Sequence, residues 1–330
     1  MRRRTNWTVV AAACALLVAA CGGGGGGSGD AEPVPTTQGI VVPLVATVES
    51  FDLAVGSTDR FMVRLATRDL RPVAYGRVRL ELRFLDETNP VPIEVAGPPT
   101  IFADARYLPT PGSAGGRPGT RPTIVSAAEG RGVYAAPISF DRAGWWQVAA
   151  VVDLKETGVT KATAEFQVLA EHRLPAVGDR APKTRNLTMS STGVPKRAID
   201  SRAATTGRIP DPELHRTTIA EAVATGHPAL VVFSSPAFRQ SRFAGDLTEL
   251  VADLAAEHGD RVAFIHVELW RDFLKRTLND SAAAWLQPSG RTVTAPWVFV
   301  IDRHGRIAAR FDNVVTRSDL EAALDRVAPA

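Results

Sequence analysis

The chain of 330 residues is 45% hydrophobic and 22% charged, which is ordinary for a globular protein and leaves room for two domains. Its formal net charge of +3 arises from 38 Lys and Arg against 35 Asp and Glu, and three of the arginines, Arg2, Arg3 and Arg4, stand at the extreme N-terminus. Without these three the charges balance, so the composition argues against a protein that binds nucleic acid.

The N-terminal segment has the pattern of a secretory signal. The three arginines precede an apolar run at 9–20 that is too short to span a bilayer. The junction VAAC resembles the lipobox of bacterial lipoproteins, which implies cleavage after residue 20 and a diacylglycerol on Cys21. We therefore predict a signal peptide at 1–20, a lipidated Gly-rich stalk at 21–38, and a protein anchored on the extracytoplasmic side of the cell membrane. The alternative is an ordinary secretory signal in which Cys21 is incidental.

The cysteine content limits the chemistry of the mature chain. The two cysteines, Cys14 and Cys21, both lie in the N-terminal segment. If Cys14 leaves with the signal and the sulfur of Cys21 carries lipid, no free thiol remains. Disulfides, thiolate metal sites and cysteine-based redox catalysis are then excluded.

Residues 39–170 are predicted to form an all-β, immunoglobulin-like sandwich. RVRLELRFLD at 77–86 places apolar side chains on one face and charged ones on the other, as a strand packed on one side does. GWWQVAAVVDL at 144–154 has the same alternation, and turns rich in Gly, Pro and Asp separate the strands. The segment that contains it resembles the late strands of immunoglobulin-like envelope domains. We expect Trp146 in the core and Trp145 facing outward.

The rest of the chain consists of a segment with little periodicity followed by alternating helices and strands. Residues 171–213 have little periodicity and are predicted to be a linker or N-terminal arm. Helices and strands then alternate, and the continuous apolar run PALVVFS is typical of a central strand covered on both faces. A capping box at 218–221 begins one helix, which Gly226 ends, and SDLE at 318–321 is predicted to begin the last helix.

Residues 214–330 resemble the thioredoxin-like lipoproteins of bacteria. TAPWVFVIDRHGRIAARF, at 294–311, is similar to the second half of that family, in which the bond before the residue matching Pro296 is cis and a β-hairpin follows. The resemblance implies an α/β fold with a central mixed sheet flanked by helices.

A second stretch, FSSPAFRQSRFAGDL at 233–247, is similar to the active-site segment of the same family. By this match Arg239 and Ala244 stand where active members have their two cysteines. A thiolate is stabilised at such a helix N-terminus, whereas an arginine there stays protonated and cannot be a nucleophile. We therefore predict a redox-inactive member without catalytic residues.

Other side chains are candidates for metal binding or for nucleophilic chemistry. His266 and Glu268 lie on one face of a predicted strand, and His304 lies in a predicted turn. They are too few for a metal site, and no other His or Cys is obviously placed to complete one, so we predict no metal and no cofactor. Ser234 lacks the surroundings of a nucleophile elbow.

Two functions from different classes remain. In the first, the protein is a binding or scaffold module at the outer face of the membrane, and its cis-proline loop receives an extended peptide of an envelope partner. The predicted groove comprises Ser235, Pro236, Arg239, Gln240, Ala295, Pro296 and Trp297. In the second, the protein is related to thiol–disulfide oxidoreductases of envelope disulfide or cofactor maturation, which the family suggests and the missing cysteines oppose.

Overall fold

Nine strands follow one another along the first half of the chain in the computed structural model, which describes residues 42–90, 96–113, 119–238, 241–288 and 292–329. All of these residues belong to one compact unit, Gly39–Ala330. The strands are β1 (Leu44–Val48), β2 (Thr58–Thr67), β3 (Val73–Ala74), β4 (Arg77–Asp86), β5 (Ile101–Pro109), β6 (Thr123–Ile124), β7 (Gly132–Ser139), β8 (Gly144–Leu154) and β9 (Gly158–Val168).

Seven of these strands form one antiparallel sheet in the order β1-β2-β7-β5-β4-β8-β9. The outermost strands, β1 and β9, approach each other, so that the sheet is nearly closed, like a barrel. The short strands β3 and β6 pair separately. Side chains alternate as the sequence predicts, since Leu80 and Leu82 of β4 are buried while Arg77 and Arg79 are exposed.

Aromatic rings fill the interior of the seven-stranded sheet. Phe61, Phe140, Trp146 and Phe166 contact one another, with ring centroids 4.8–6.1 Å apart. Such tilted and edge-on pairs add stabilisation beyond the area that they bury. Trp146 is fully buried, as predicted, whereas Trp145 is partly exposed on the other face.

In the described part of the second half of the chain there are six strands and five α-helices. The strands are β10 (Ala229–Ser234), β11 (Ala263–Glu268), β12 (Trp270–Asp272), β13 (Thr277–Leu278), β14 (Trp297–Ile301) and β15 (Ile307–Asp312). The helices are α1 (Ala203–Thr206), α2 (Ile219–Thr225), α3 (Ala244–His258), α4 (Asp280–Leu286) and α5 (Arg317–Val327), and two 3₁₀ turns, Lys196–Ala198 and Pro212–His215, precede α1 and α2.

Four of these strands form a second sheet in the order β11-β10-β14-β15. β10 pairs with β11 in parallel and with β14 antiparallel, and all six of its residues are buried, as its apolar run predicts. On one face Phe233 of β10 packs against Trp285 of α4, with ring centroids 5.2 Å apart. On the other face Val232 belongs to a core that includes Leu250 of α3.

Of the local predictions for the second half, two are confirmed and one differs from the structure by two residues. The capping box of α2 is confirmed, because the Thr218 hydroxyl accepts from the Glu221 amide and Gly226 is the left-handed C-cap. The last helix begins two residues earlier than SDLE predicts, since Thr316 is its N-cap. The bond between Ala295 and Pro296 is cis, as expected.

The predicted fold class is wrong. Of the described residues, 38% lie in strands and 19% in helices, and one nearly closed antiparallel sheet dominates the structure. The structure is therefore neither an immunoglobulin-like sandwich nor an α/β thioredoxin-like fold with a central mixed sheet flanked by helices. A sheet that closes on itself and two sheets that face each other both bury every second side chain, so the alternation alone does not separate them. Helix content is low because α1, α2 and α4 have only four to seven residues.

Ion pairs connect residues of the first nine strands with the second sheet and its helices. Arg310 of β15 binds the carboxylate of Asp52 at 2.9 Å, and Arg60 of β2 pairs with Asp319 of α5 at 3.2 Å. The two halves therefore share a polar contact region, and a small apolar cluster also joins them, in which Met62 and Val133 lie with Phe243 and Val314. No helix in the described part of the chain has both the length and the apolar character needed to cross a membrane.

Candidate metal site

Three residues singled out from the sequence, Cys21, Arg239 and Gln240, lie outside the described residues. Ala244, the other position matched to a cysteine, is the first residue of α3 and is only 3% exposed. A side chain at this position faces the protein interior.

The remaining residues of the predicted peptide groove are all buried: Ser235, Pro236, Ala295, Pro296 and Trp297. Phe51 lies over this region, with its ring centroid 6.2 Å from that of Trp297. Nearby, the amide group of Asn313 donates to the carbonyl of Glu49 at 3.2 Å. In this structure these groove residues therefore offer no open surface to an extended peptide.

A different group of polar side chains meets in the interior: Asp200, His215 and His266, called here the Asp–His–His cluster. Each of the three is 0% exposed, and their nearest ligand-type atoms all lie within 4.8 Å of one another. From the sequence no other His or Cys was obviously placed to join His266, and the structure brings His215 and Asp200 beside it.

Each member of the cluster comes from a different element. His266 lies in the middle of β11, and His215 ends the second 3₁₀ turn. Asp200 lies between the first 3₁₀ turn and α1, in the arm that the sequence showed to be without periodicity. Folding of this arm against β11 therefore assembles the cluster.

The distances in the cluster fit a bound cation better than direct hydrogen bonds. Oδ2 of Asp200 is 3.4 Å from Nε2 of His215 and 3.3 Å from Nδ1 of His266. Charge-assisted hydrogen bonds measure about 2.7–2.9 Å. In contrast, two ligands that each lie about 2.0–2.1 Å from a tetrahedral zinc ion are about 3.4 Å apart.

Three of the four ring nitrogens of the cluster lack hydrogen-bond partners. Both ring nitrogens of His215 and Nδ1 of His266 are buried and form no hydrogen bond of acceptable geometry. Most buried polar atoms in proteins have a partner, so three such nitrogens in one site call for an explanation. A cation beside Asp200 would accept the lone pairs of one nitrogen from each ring.

Contacts around the cluster fix its members. Nε2 of His266 lies 3.3 Å from the carbonyl of Ser234. When Nε2 carries the proton and donates to this carbonyl, Nδ1 presents its lone pair toward Asp200, as in histidines that bind metals. Arg202 donates to Asp200 through its Nη2 at 2.7 Å and also pairs with Asp211 at 2.7 Å, which connects the two arm segments.

The electrostatics of the cluster favour the protonation states that a metal requires. Burial alone would raise the pKa of Asp200, but its contacts with His215, His266 and Arg202 outweigh burial and hold the pKa well below its usual range. Burial lowers the pKa of His215, against the opposing effect of Asp200. An ionised carboxylate thus faces a neutral imidazole, and metal ligands must be deprotonated in this way.

Glu268, which the sequence placed on the same strand face as His266, has a different role. Its carboxylate accepts from the amide of Ser201 at 2.9 Å and from the amide of Trp270 at 3.2 Å, and also from the hydroxyl of Ser235. Burial raises the pKa of Glu268, although His266 and the serine donors oppose this. Through these hydrogen bonds Glu268 attaches the arm to β11, and its carboxylate is not among the ligand-type atoms that come together in the cluster.

Comparison with known proteins assigns no family to the chain: no family model matches it, and no curated protein is significantly similar to it. Sequence reasoning missed Asp200 and His215 because they lie far from His266 along the chain and form no spaced ligand motif. No sequence pattern indicated them, since Asp200 lies in the charged, non-periodic arm at 171–213 and His215 lies just beyond it.

Proposed function

We propose that the protein is a metal-binding module of the bacterial cell envelope, which holds one divalent transition-metal ion, with zinc as the best fit, at the Asp–His–His cluster. The observation that carries the proposal is the pair of unpartnered nitrogens, Nε2 of His215 and Nδ1 of His266, facing an ionised carboxylate in a site without solvent access. The placement in the envelope rests on the lipobox-like junction before Cys21.

The donor set supports zinc. Two imidazoles and one carboxylate are ligands that zinc accepts in four-coordinate sites. The two separations from Asp200, 3.3 and 3.4 Å, match the edges of a tetrahedron around zinc, and the two imidazole nitrogens lie within 4.8 Å of each other. Iron(II) also binds two histidines and one carboxylate, but in that arrangement it keeps several open positions for substrates. The complete burial of the cluster opposes such openness.

The role that we propose for the ion is structural. A substrate cannot reach side chains that are 0% exposed, so the site favours stabilisation over catalysis. An ion bound there would fasten Asp200 of the arm and His215 of the second 3₁₀ turn to β11, and its binding free energy would add to the free energy of folding. The alternative of thiol–disulfide chemistry lacks support, because no cysteine follows Cys21 in the sequence.

The test is zinc binding by the full chain without a histidine tag. After treatment with a chelator, the protein is titrated with Zn²⁺ in competition with a chromogenic chelator, and we expect one site with a dissociation constant below about 1 μM. Cobalt(II) in the same site should give the intense visible absorption of a four-coordinate ion. Zinc should also raise the melting temperature of the chain.

Two substitutions locate the site, and one controls for histidine loss. Asp200→Asn and His266→Gln should each weaken zinc binding at least about tenfold, as loss of a ligand does. His304→Gln removes an exposed histidine from a turn and should leave the affinity unchanged. Undetectable zinc binding by the wild-type chain, or equal affinities for all three variants, would refute the proposal.

A further inference from the structure

The hairpin of β12 and β13 exposes an apolar tip. Leu274 is 90% exposed and its neighbour Phe273 is 38% exposed. The other large apolar side chains exposed in the described part of the chain lie singly along the sequence, as is common on protein surfaces. Two adjacent ones at the end of a hairpin form a protruding apolar surface, which marks an interaction site.

The base of the tip is held by aromatic contacts. The ring of Phe273 stacks on Phe238, with centroids 4.6 Å apart and planes 9° from parallel, and it meets the buried Trp270 edge-on at 5.7 Å. Within the turn, the amide of Lys275 donates to the carboxylate of Asp272 at 3.2 Å. These contacts keep Leu274 pointing away from the body of the protein, so its exposure does not arise from a loose turn.

Basic side chains surround the apolar tip. Arg271, Lys275 and Arg276 are exposed on the hairpin itself, and Arg197 of the neighbouring arm is close enough to lower the pKa of Asp272, although hydrogen bonding from Lys275 has the larger effect. The carboxylates nearby are already engaged, Asp272 with Lys275 at 3.7 Å and Asp280 with Arg271 at 3.8 Å. An apolar tip flanked by more basic than acidic side chains is complementary to a bilayer that contains anionic phospholipids.

We propose that the β12–β13 hairpin docks on an anionic phospholipid surface, with Leu274 and the edge of Phe273 inserted at the level of the headgroups and Arg271, Lys275 and Arg276 facing the phosphates. This inference is independent of the metal site. A lipid on Cys21, where present, would hold the chain near the bilayer, and the hairpin would then set the orientation of the folded part on it.

Vesicle binding tests the hairpin without help from an acyl chain. The full chain carrying Cys21→Ser is sedimented with vesicles of phosphatidylcholine mixed with phosphatidylglycerol, and with vesicles of phosphatidylcholine alone. We expect binding to the mixed vesicles that weakens as salt is added, because the attraction between the basic residues and the phosphates is screened. Binding to the neutral vesicles should be much weaker.

Variants separate the apolar and the charged contributions. Leu274→Ser should weaken partition into the mixed vesicles about tenfold, because its side chain no longer leaves water on insertion. Lys275→Ala should weaken it about fivefold on mixed vesicles and leave binding to neutral vesicles unchanged. Leu70→Ser is the matched control, since Leu70 is 77% exposed in a turn elsewhere, and it should have no effect.

Three results would overturn the proposal. The first is no binding of the wild-type chain to mixed vesicles, and the second is equal binding by Leu274→Ser and Leu70→Ser. The third is a wild-type chain that self-associates in analytical ultracentrifugation, with the association abolished by Leu274→Ser and vesicle binding unaffected, since the hairpin would then be a contact between copies of the chain.

Discussion

The carboxylate of Asp52 is predicted to be a main polar contact between the first nine strands and the second sheet. It is 5% exposed and accepts from Nη1 of Arg310 at 2.9 Å and from the amides of Arg173 and Leu174 at 3.0 and 3.3 Å. Burial alone would raise its pKa, but the contacts with His172 and Arg310 and the amide of Arg173 outweigh this and lower the pKa to about 2.

The pKa of Asp52 gives the magnitude of its contribution to the free energy of unfolding. An aspartate in the unfolded chain has a pKa of about 3.9, so the folded state gains about 2.5 kcal/mol at neutral pH from the ionised form of Asp52. Because the folded pKa lies below the unfolded one, this stabilisation is complete above about pH 4 and is lost as the pH falls toward about 2. Asp52→Asn should therefore lower the free energy of unfolding by about 2–3 kcal/mol at pH 7. Asp52→Ala should cost about 3–5 kcal/mol, since Arg310 would stay buried without its carboxylate partner.

Urea unfolding measures these values, with tryptophan fluorescence and circular dichroism as coincident probes of a two-state transition. The matched control is Asp153→Asn, because Asp153 pairs with Arg121 in a solvent-exposed ion pair that should contribute little. The reasoning would be refuted by an unfolding midpoint of Asp52→Asn equal to that of the control at pH 7. A wild-type advantage over Asp52→Asn that persists undiminished at pH 2 would contradict the assigned pKa.

Three further predictions concern protonation, helix capping and the anchor. Burial lowers the pKa of His215, so the unfolded chain takes up a proton below about pH 6.5 that the folded chain does not. The free energy of unfolding of the metal-free protein, measured in urea, should therefore fall by up to about 1.4 kcal/mol for each pH unit of acidification. His215→Gln should reduce that slope. Equal slopes would contradict the assignment. Thr218→Ala should destabilise the chain by about 1 kcal/mol through loss of the α2 cap, whereas Thr225→Ala, in the last turn of the same helix, should cost less in the same unfolding assay. Cys21→Ser should abolish labelling by a radioactive fatty acid, and unchanged labelling would exclude the proposed anchor.

Much of the local structure could be predicted from the sequence, because it depends on neighbouring residues. The alternation in β4 and β8 identified strands with one buried face, and Trp146 was placed correctly in the core. The capping box at Thr218 located the start of α2 to the residue. Each of these signals arises from side chains a few residues apart, for which the physics of strands and helices is local.

The arrangement of the strands could not be predicted in the same way. Whether the first nine strands form one nearly closed sheet or two facing sheets depends on how β1 meets β9, which are far apart along the chain. The resemblance in the second half gave the cis bond at Pro296 but led to the wrong fold class, because it rests on two short stretches. Short motifs describe local geometry and leave the course of the remaining chain undetermined.

The Asp–His–His cluster shows that contacts between polar side chains far apart along the chain could not be predicted either. His266 was noticed, but Asp200 lies in an arm without hydrophobic periodicity, which the pattern rules assign to a linker, and His215 lies just beyond that arm. Asp200 and His215 become recognisable only when the arm is packed on β11, since burial is what makes their lack of partners significant. Sequence patterns report the period of apolar residues and contain little information on where polar side chains meet.

The arm and the hairpin share one polar framework, which relates the metal site to the exposed apolar tip. The side-chain amide of Asn279, just after β13, donates to the carbonyl of Ala198 in the arm at 2.8 Å and to that of Glu268 in β11 at 2.7 Å. Glu268 in turn accepts from the amide of Ser201, directly after Asp200. An ion bound between Asp200 and His266, as proposed, would therefore also support the base of the hairpin, because the same buried hydrogen bonds hold both segments against β11.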